Sequence, residues 1–234
     1  RRLADGRRSE VVGFGRFLSN GRVSVERLIE GWGAGAAAAC GGRHVLAIQD
    51  TSEIVFSTTP STRRGLGPVA KGRGHGLLLH AMLAVDAVDG ACLGLVAGRI
   101  WTRSGPVTVP SAQRLSSDRE SDRWRATAEA AKGVLAEAAC VTVVADRESD
   151  IYAEWARLPA PDFHLLTRAL HDRRIVGGRL STAALTDGGE ARVELPARPG
   201  RPAREARLAV RFGRVAVVRP RNEKMTGENA DLPR

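Results

Sequence analysis

Two runs of the chain end alike: Val45-Leu46-Ala47-Ile48-Gln49-Asp50 and Val141-Thr142-Val143-Val144-Ala145-Asp146 are short, largely apolar stretches, each closed by an aspartate. Such a run reads as a buried strand covered on both faces. A carboxylate at the exit of such a strand is a rigid mount for a metal ion or a proton. The plainer reading of Asp146 alone is a residue of a helix-capping turn, with Ser149 and Asp150 placed to cap a helix starting at Ile151. A second strand-end carboxylate shifts that balance. Side by side, the two would repel unless a cation lay between them or one were protonated. Oxygen donors of this kind suit Mg²⁺ or Mn²⁺, and paired ions of that class carry out in-line phosphoryl transfer on nucleic acid.

The elements that must position these aspartates follow from the pattern around them. Phe14, Phe17 and Leu18 have helical spacing, stopped by Asn20-Gly21, and Val25, Leu28, Ile29 and Trp32 share a face of a second amphipathic segment. Gly33 to Gly42 reads as weak helix or linker. After the Asp50 strand, a Gly/Ser/Thr-rich loop over Ser57–Gly76 precedes a strand at Leu77–Val85, a turn at Asp89-Gly90 and a strand at Leu93–Trp101, a hairpin by its turn chemistry. Ser117-x-x-Glu120 is a capping box for a helix whose face is Trp124, Ala128, Ala131, Leu135 and Ala138. That helix feeds the Asp146 strand, a short helix to Leu158 and a parallel strand at Phe163–Arg168. From residue 171 Gly, Pro and Arg increase, and Leu208, Val210 and Phe212 alternate with Arg207 and Arg211. A sheet that begins antiparallel and continues through helix-connected strands is a mixed α/β sheet. In it the two Asp-terminated strands can be neighbours.

Composition narrows the partners. The chain has 234 residues, a formal net charge of +10 and 43% hydrophobic residues, enough for a real core and basic enough to favour a polyanion, nucleic acid before an anionic membrane. No run approaches a membrane span, and no signal sequence opens the chain, so a soluble intracellular protein is expected. Cys40, Cys92 and Cys140 show neither a disulfide framework nor metal spacing and read as buried free thiols.

Set in order, several fragments resemble the DDE-type cut-and-paste transposases of bacterial insertion sequences. They are Leu46-Ala-Ile-Gln-Asp-Thr51, Gly65-Leu-Gly-Pro68, Lys71-Gly-Arg-Gly74, His80, Glu120-Ser-x-x-Trp124 and, most specific, Asp146-Arg-Glu-x-Asp-Ile-Tyr152. Phe14-Gly-Arg-Phe-Leu-Ser-Asn20 followed by Val23 is similar to the end of that family's N-terminal DNA-binding region. The resemblance implies a ribonuclease-H-like mixed sheet flanked by helices, in a chain truncated at both ends. Residues 1–43 would end the DNA-binding helical region, 44–170 form the catalytic core, and 171–234 begin a strand-rich insertion with a disordered tail. It also implies that Asp50 and Asp146 are the first two catalytic, metal-binding carboxylates, holding Mg²⁺ or Mn²⁺ for strand cleavage and strand transfer on double-stranded DNA. A DNA-bridged homodimer of the full-length parent, in the bacterial cytoplasm at the nucleoid, belongs to the same expectation.

The departures carry equal weight. The family's third carboxylate is a Glu in a Tyr-x2-Arg-x3-Glu-x6-Lys signature, and the only tyrosine here is Tyr152. Glu223 and Glu228 stand in unpatterned sequence and do not substitute for it. Three readings stay open: a transposase fragment inactive alone, a catalytically dead DNA-binding remnant of a degraded element and, last in order, a stand-alone nuclease with an unusual two-Asp site. Lys71, Arg73 and His75 on the glycine-rich loop, with Arg147, Arg168, Arg207 and Arg211, are the candidate DNA contacts. Glu148 reads as an arginine-paired loop residue, Asp150 as a cap, His80 as core or functional, and Trp124 as core.

Overall fold

The computed structural model describes residues 7–57, 65–69, 74–103 and 122–220. Lys71, Arg73, the Ser117–Glu120 capping box, Glu223, Glu228 and the rest of the C-terminal tail lie outside the described residues. Helices α1 (Arg8–Leu18) and α2 (Val25–Cys40) lead into β1 (His44–Ser57), β2 (Gly67–Val69), β3 (Gly74–Asp86) and β4 (Cys92–Trp101). Helix α3 (Asp122–Val134), β5 (Cys140–Ala145), α4 (Tyr152–Arg157) and β6 (Phe163–Thr167) complete the main unit. Two small hairpins follow, β7 (Arg174–Ile175) with β8 (Gly178–Arg179) and β9 (Thr186–Leu195) with β10 (Arg204–Phe212).

The main sheet runs β2-β3-β1-β5-β6, with β4 also on β3. β3 is antiparallel to both β1 and β4, whereas β1, β5 and β6 are mutually parallel. This is the mixed α/β sheet the sequence led us to expect, with the two Asp-bearing strands adjacent. The C-terminal hairpins are the strand-rich addition.

One face of the sheet makes the core. Val45, Ala47, Met82, Ala84, Val141 and Val143 pack there against Ala36 and Cys40 of α2 and Ala128, Ala131 and Leu135 of the α3 region. Inward positions alternate with outward ones along β5 and along the whole length of β3. The strands are not covered on both faces. Among the described residues the outer face is open, with Ile48, Leu83 and Leu166 between 40% and 59% exposed.

Helix α2 decides one open expectation and corrects another. It continues through the Gly/Ala stretch to Cys40, started by the Ser24 side chain accepting from the Arg27 amide. Its buried face is Gly33, Ala36 and Cys40, while Trp32 is 57% exposed. Small residues let this helix lie almost on the backbone of β4. Gly94, at φ +138, would carry a Cβ only 2.9 Å from that of Ala36, so only glycine suits the position. Cysteine burial also differs: Cys40 is buried, Cys92 exposed and Cys140 intermediate. No helix among the described residues is long and apolar enough to cross a membrane.

Candidate functional site

The β1–β5 ladder pairs Ala47 with Val143 and Ile48 with Val144, then stops. Two residues further on each strand stand Asp50 and Asp146. Val45, Ala47 and Gln49 on β1 point inward, as do Val141, Val143 and Ala145 on β5, so by alternation both aspartates emerge on the open face. Paired strands lie about 4.8 Å apart, so the two exposed carboxylates stand on adjacent strand ends. β1 does not end at Asp50 as the sequence pattern suggested; it pairs with β3 as far as Ser57. β5 is the strand that stops, leaving Asp50 on a free edge of β1, in the crevice beyond the carboxyl end of a parallel strand where α/β sheets commonly bind ligands.

Each aspartate is held by one oxygen. Asp50 Oδ1 accepts the Thr51 amide at 2.7 Å, and Asp146 Oδ1 accepts the Glu148 amide at 2.7 Å. Asp146 thereby caps the 3₁₀ turn Arg147–Ser149, so the capping role and the open carboxylate coexist. Oδ2 of either residue has no protein partner among the described residues. Two adjacent hard oxygen donors exposed to water fit a divalent cation of the Mg²⁺ or Mn²⁺ class whose remaining ligands are water. No cluster of three or more His, Cys, Asp or Glu side chains suited to a metal occurs among the described residues.

Behind the aspartates runs a polar network that is buried at His80 and Gln49 and reaches the surface at Glu148. Arg123 Nε donates to Thr51 Oγ1 at 2.8 Å, and Arg123 Nη2 donates to Glu148 Oε2 at 2.8 Å. Thr51 Oγ1 lies 2.8 Å from His80 Nδ1, and His80 Nε2 lies 3.2 Å from Gln49 Oε1. An amide oxygen only accepts, so Nε2 carries the proton and Nδ1 accepts from the threonine hydroxyl. Burial, then the nearby Arg123 charge, lowers the His80 pKa to about 4, which keeps the ring neutral. Its edge packs on Trp124, with centroids 4.7 Å apart. Further along, Ser149 Oγ donates to Glu154 Oε2 at 2.6 Å. Burial raises the Glu154 pKa to about 7 despite that bond and the Arg125 charge. Gln49 Nε2 and Glu154 Oε1 are both buried without a well-formed bond of their own.

Asp150 is not a cap of α4. Ile151 takes the N-cap place and makes no side-chain cap bond. Asp150 Oδ2 instead accepts the amides of Leu170 and His171 at 2.7 and 2.8 Å, and Oδ1 accepts Arg173 Nε at 2.9 Å. Its side chain is 1% exposed. Arg173 Nη2 donates to the same Oδ1 at 2.6 Å, so both oxygens are taken up in fastening the segment after β6. Glu148 is arginine-paired, as expected, through Arg123.

The basic residues divide by location. Arg168 follows Thr167, which pairs with Ala145, so the register sets it next to Asp146; both Arg168 and Arg147 are exposed. Arg207 and Arg211 lie on the separate β9–β10 ribbon, opposite Arg192 and Asp187. His75 is not in a loop: it sits in β3 opposite Pro68, half-buried. The neighbouring glycine has a packing reason, since a Cβ on Gly76 would lie 1.9 Å from the Ile54 carbonyl oxygen. Sequence reasoning missed Arg123, Gln49 and Glu154. The one signal was Gln49, a polar residue at an inward position of an otherwise apolar alternation.

No family model matches the chain. Among solved structures the fold is similar to the piggyBac transposase synaptic complex with hairpin DNA, at a TM-score of 0.35 and 10% identity. The match covers 74% of this chain, which spans about a third (35%) of that protein's length.

Proposed function

We propose that this chain carries two carboxylates, Asp50 and Asp146, of a divalent-cation site for DNA strand cleavage and transfer, of the bacterial insertion-sequence DDE type, and that it is inactive alone. One observation supports this reading above others: Asp50 and Asp146 each stand two residues past the last pair of adjacent parallel strands, with one oxygen fixed by a backbone amide and the other without a protein partner among the described residues. A bound Mg²⁺ or Mn²⁺ supplies Lewis-acid stabilisation of an in-line displacement at phosphorus. The chain's own part is to hold the two donors, while Arg147 and Arg168 lie where a DNA phosphate backbone would pass.

The second reading, a DNA-binding remnant without catalysis, is favoured by one specific feature: no third carboxylate joins the pair among the described residues. Mn²⁺ titration of the intact chain followed by electron paramagnetic resonance tests the site. Asp50→Asn and Asp146→Asn should each lose binding, and unchanged binding in both overturns the assignment. Mg²⁺-dependent nicking of DNA by the purified chain, absent in those variants, would overturn the expectation of inactivity.

A further inference from the structure

We infer that Arg123 is a positioning residue that sets the spacing of Asp50 and Asp146; the inference rests on the reading of that pair as a cation site. Past Ile48 and Val144 no backbone ladder joins β1 to β5, so something else must hold the two strand ends in register. Arg123 bridges them, through Thr51 on one side and Glu148 on the other, at 2.8 Å each. These two residues also supply the backbone amides bound to the aspartates, Thr51 to Asp50 Oδ1 and Glu148 to Asp146 Oδ1. Any movement of the clamp is thus passed to both carboxylates.

The guanidinium is a planar fork with fixed donor directions, so two bonds from it define a distance as well as an attraction. It is itself held in place. The Arg123 side chain is 10% exposed and lies 5.7 Å from the Trp101 ring and 5.5 Å from the Trp124 ring. Its Thr51 end is anchored to the fully buried His80.

Charge and geometry predict opposite signs for its removal. By charge alone, deleting a cation near two carboxylates should tighten Mn²⁺ binding. As a clamp, its loss should weaken binding about tenfold or more, the usual cost when a residue that orients metal ligands is removed. The experiment is Mn²⁺ titration by electron paramagnetic resonance on the whole chain, comparing Arg123→Gln, Arg123→Lys, Asp50→Asn and Arg43→Gln. Arg43 pairs with Asp86 at the far end of the sheet and reports on general loss of stability. The expected result is weaker binding in both Arg123 variants, because lysine keeps the charge but lacks the fork, and wild-type affinity in Arg43→Gln. Unchanged or tighter binding in Arg123→Gln, with binding lost in Asp50→Asn, overturns the clamp and leaves the site reading standing. Binding unchanged in Asp50→Asn and Asp146→Asn, or absent from the unsubstituted chain, overturns the site reading and the clamp with it. Rescue by Arg123→Lys, or an equal loss in Arg43→Gln, also overturns the clamp. If Arg123→Gln does not fold, Glu148→Gln at the more exposed end cuts the same arm, and unchanged Mn²⁺ affinity there counts against the proposal.

Discussion

The main sheet has aspartates at both ends, and they are treated differently. At one end Asp86 is 3% exposed; its Oδ1 accepts the Val88 amide at 2.8 Å and its Oδ2 accepts Arg43 at 2.5 Å. The Val88 amide, then Arg43, lowers its pKa below the ordinary carboxylate range. At the other end Asp50 and Asp146 are exposed, each with one amide on Oδ1 and no protein partner on Oδ2 among the described residues. The chain supplies a full set of partners where a carboxylate holds structure together, as Asp150 does with Arg173 and two amides. Where the carboxylates face solvent side by side, it supplies half. That contrast separates tie points from ligand points better than residue type does, since both are aspartates at the ends of strands or turns.

The sharpest way to break this comparison is to remove one carboxylate of each kind. Asp150→Ala would strand the nearly buried Arg173 and leave two backbone amides without their acceptor, and we expect it to lower unfolding free energy by about 3–5 kcal/mol in urea denaturation. Asp50→Asn and Asp146→Asn should each change stability by less than about 0.5 kcal/mol while abolishing Mn²⁺ binding. If Asp50→Asn costs as much as Asp150→Ala, Asp50 is structural and the distinction is wrong.

A smaller effect distinguishes the buried network from the open aspartates. His80 has a folded pKa of about 4 against an ordinary 6.5. As pH falls through that window only the unfolded chain gains the proton, so the His80 contribution is intact above 6.5 and falls towards 4. Glu154 has a folded pKa of about 7 against 4.5. As pH rises through that window only the unfolded chain loses the proton, so its contribution is intact below 4.5 and falls towards 7. Each full window is worth about 3 kcal/mol at most, and the two slopes oppose each other where the windows overlap. Glu154→Gln should remove one of them, leaving stability that rises with pH up to about 6.5. An unaltered pH profile of urea unfolding in that variant would contradict the assignment.

Much of this was legible in the sequence, for identifiable reasons. The apolar β-branched run ending at Asp146 and its parallel partner ending near Asp50 are local signals, and the hairpin turn at Asp89-Gly90 is another. The true length of β1 was hidden because beyond Asp50 it pairs on one edge only, and Thr51-Ser52-Glu53 shows no inward alternation. The second half of α2 read only as weak helix or linker, since residues small enough to approach Gly94 are those that weaken a helical pattern. Arg123 could not be read at all. Its meaning depends on Thr51 and Glu148, which are 72 and 25 residues away and meet only once the parallel ladder has formed.

The smallest effects test whether nucleic acid runs over the sheet end or over the C-terminal ribbon. Arg168 continues the register that leads from Thr167 and Ala145 to Asp146, whereas Arg207 and Arg211 sit on a two-stranded sheet of their own, with Arg207 3.7 Å from Glu205. Each phosphate contact contributes roughly 0.9 to the slope of log affinity against log salt. If DNA lies across the aspartates, Arg168→Ala should lower that slope by roughly one contact's worth and weaken binding several-fold at low salt. Arg207→Ala should do less, because its partner Glu205 already offsets part of its charge. Measured by fluorescence anisotropy on duplex DNA over a salt series, a loss confined to the ribbon variants would move the nucleic-acid path away from Asp50 and Asp146. The chain would then bind DNA on a surface separate from its open carboxylates, which would favour the remnant reading over a catalytic one. A loss centred on Arg168 would join the two, because a phosphate held there lies beside the only strand ends in the described sheet where carboxylate oxygens are left without protein partners.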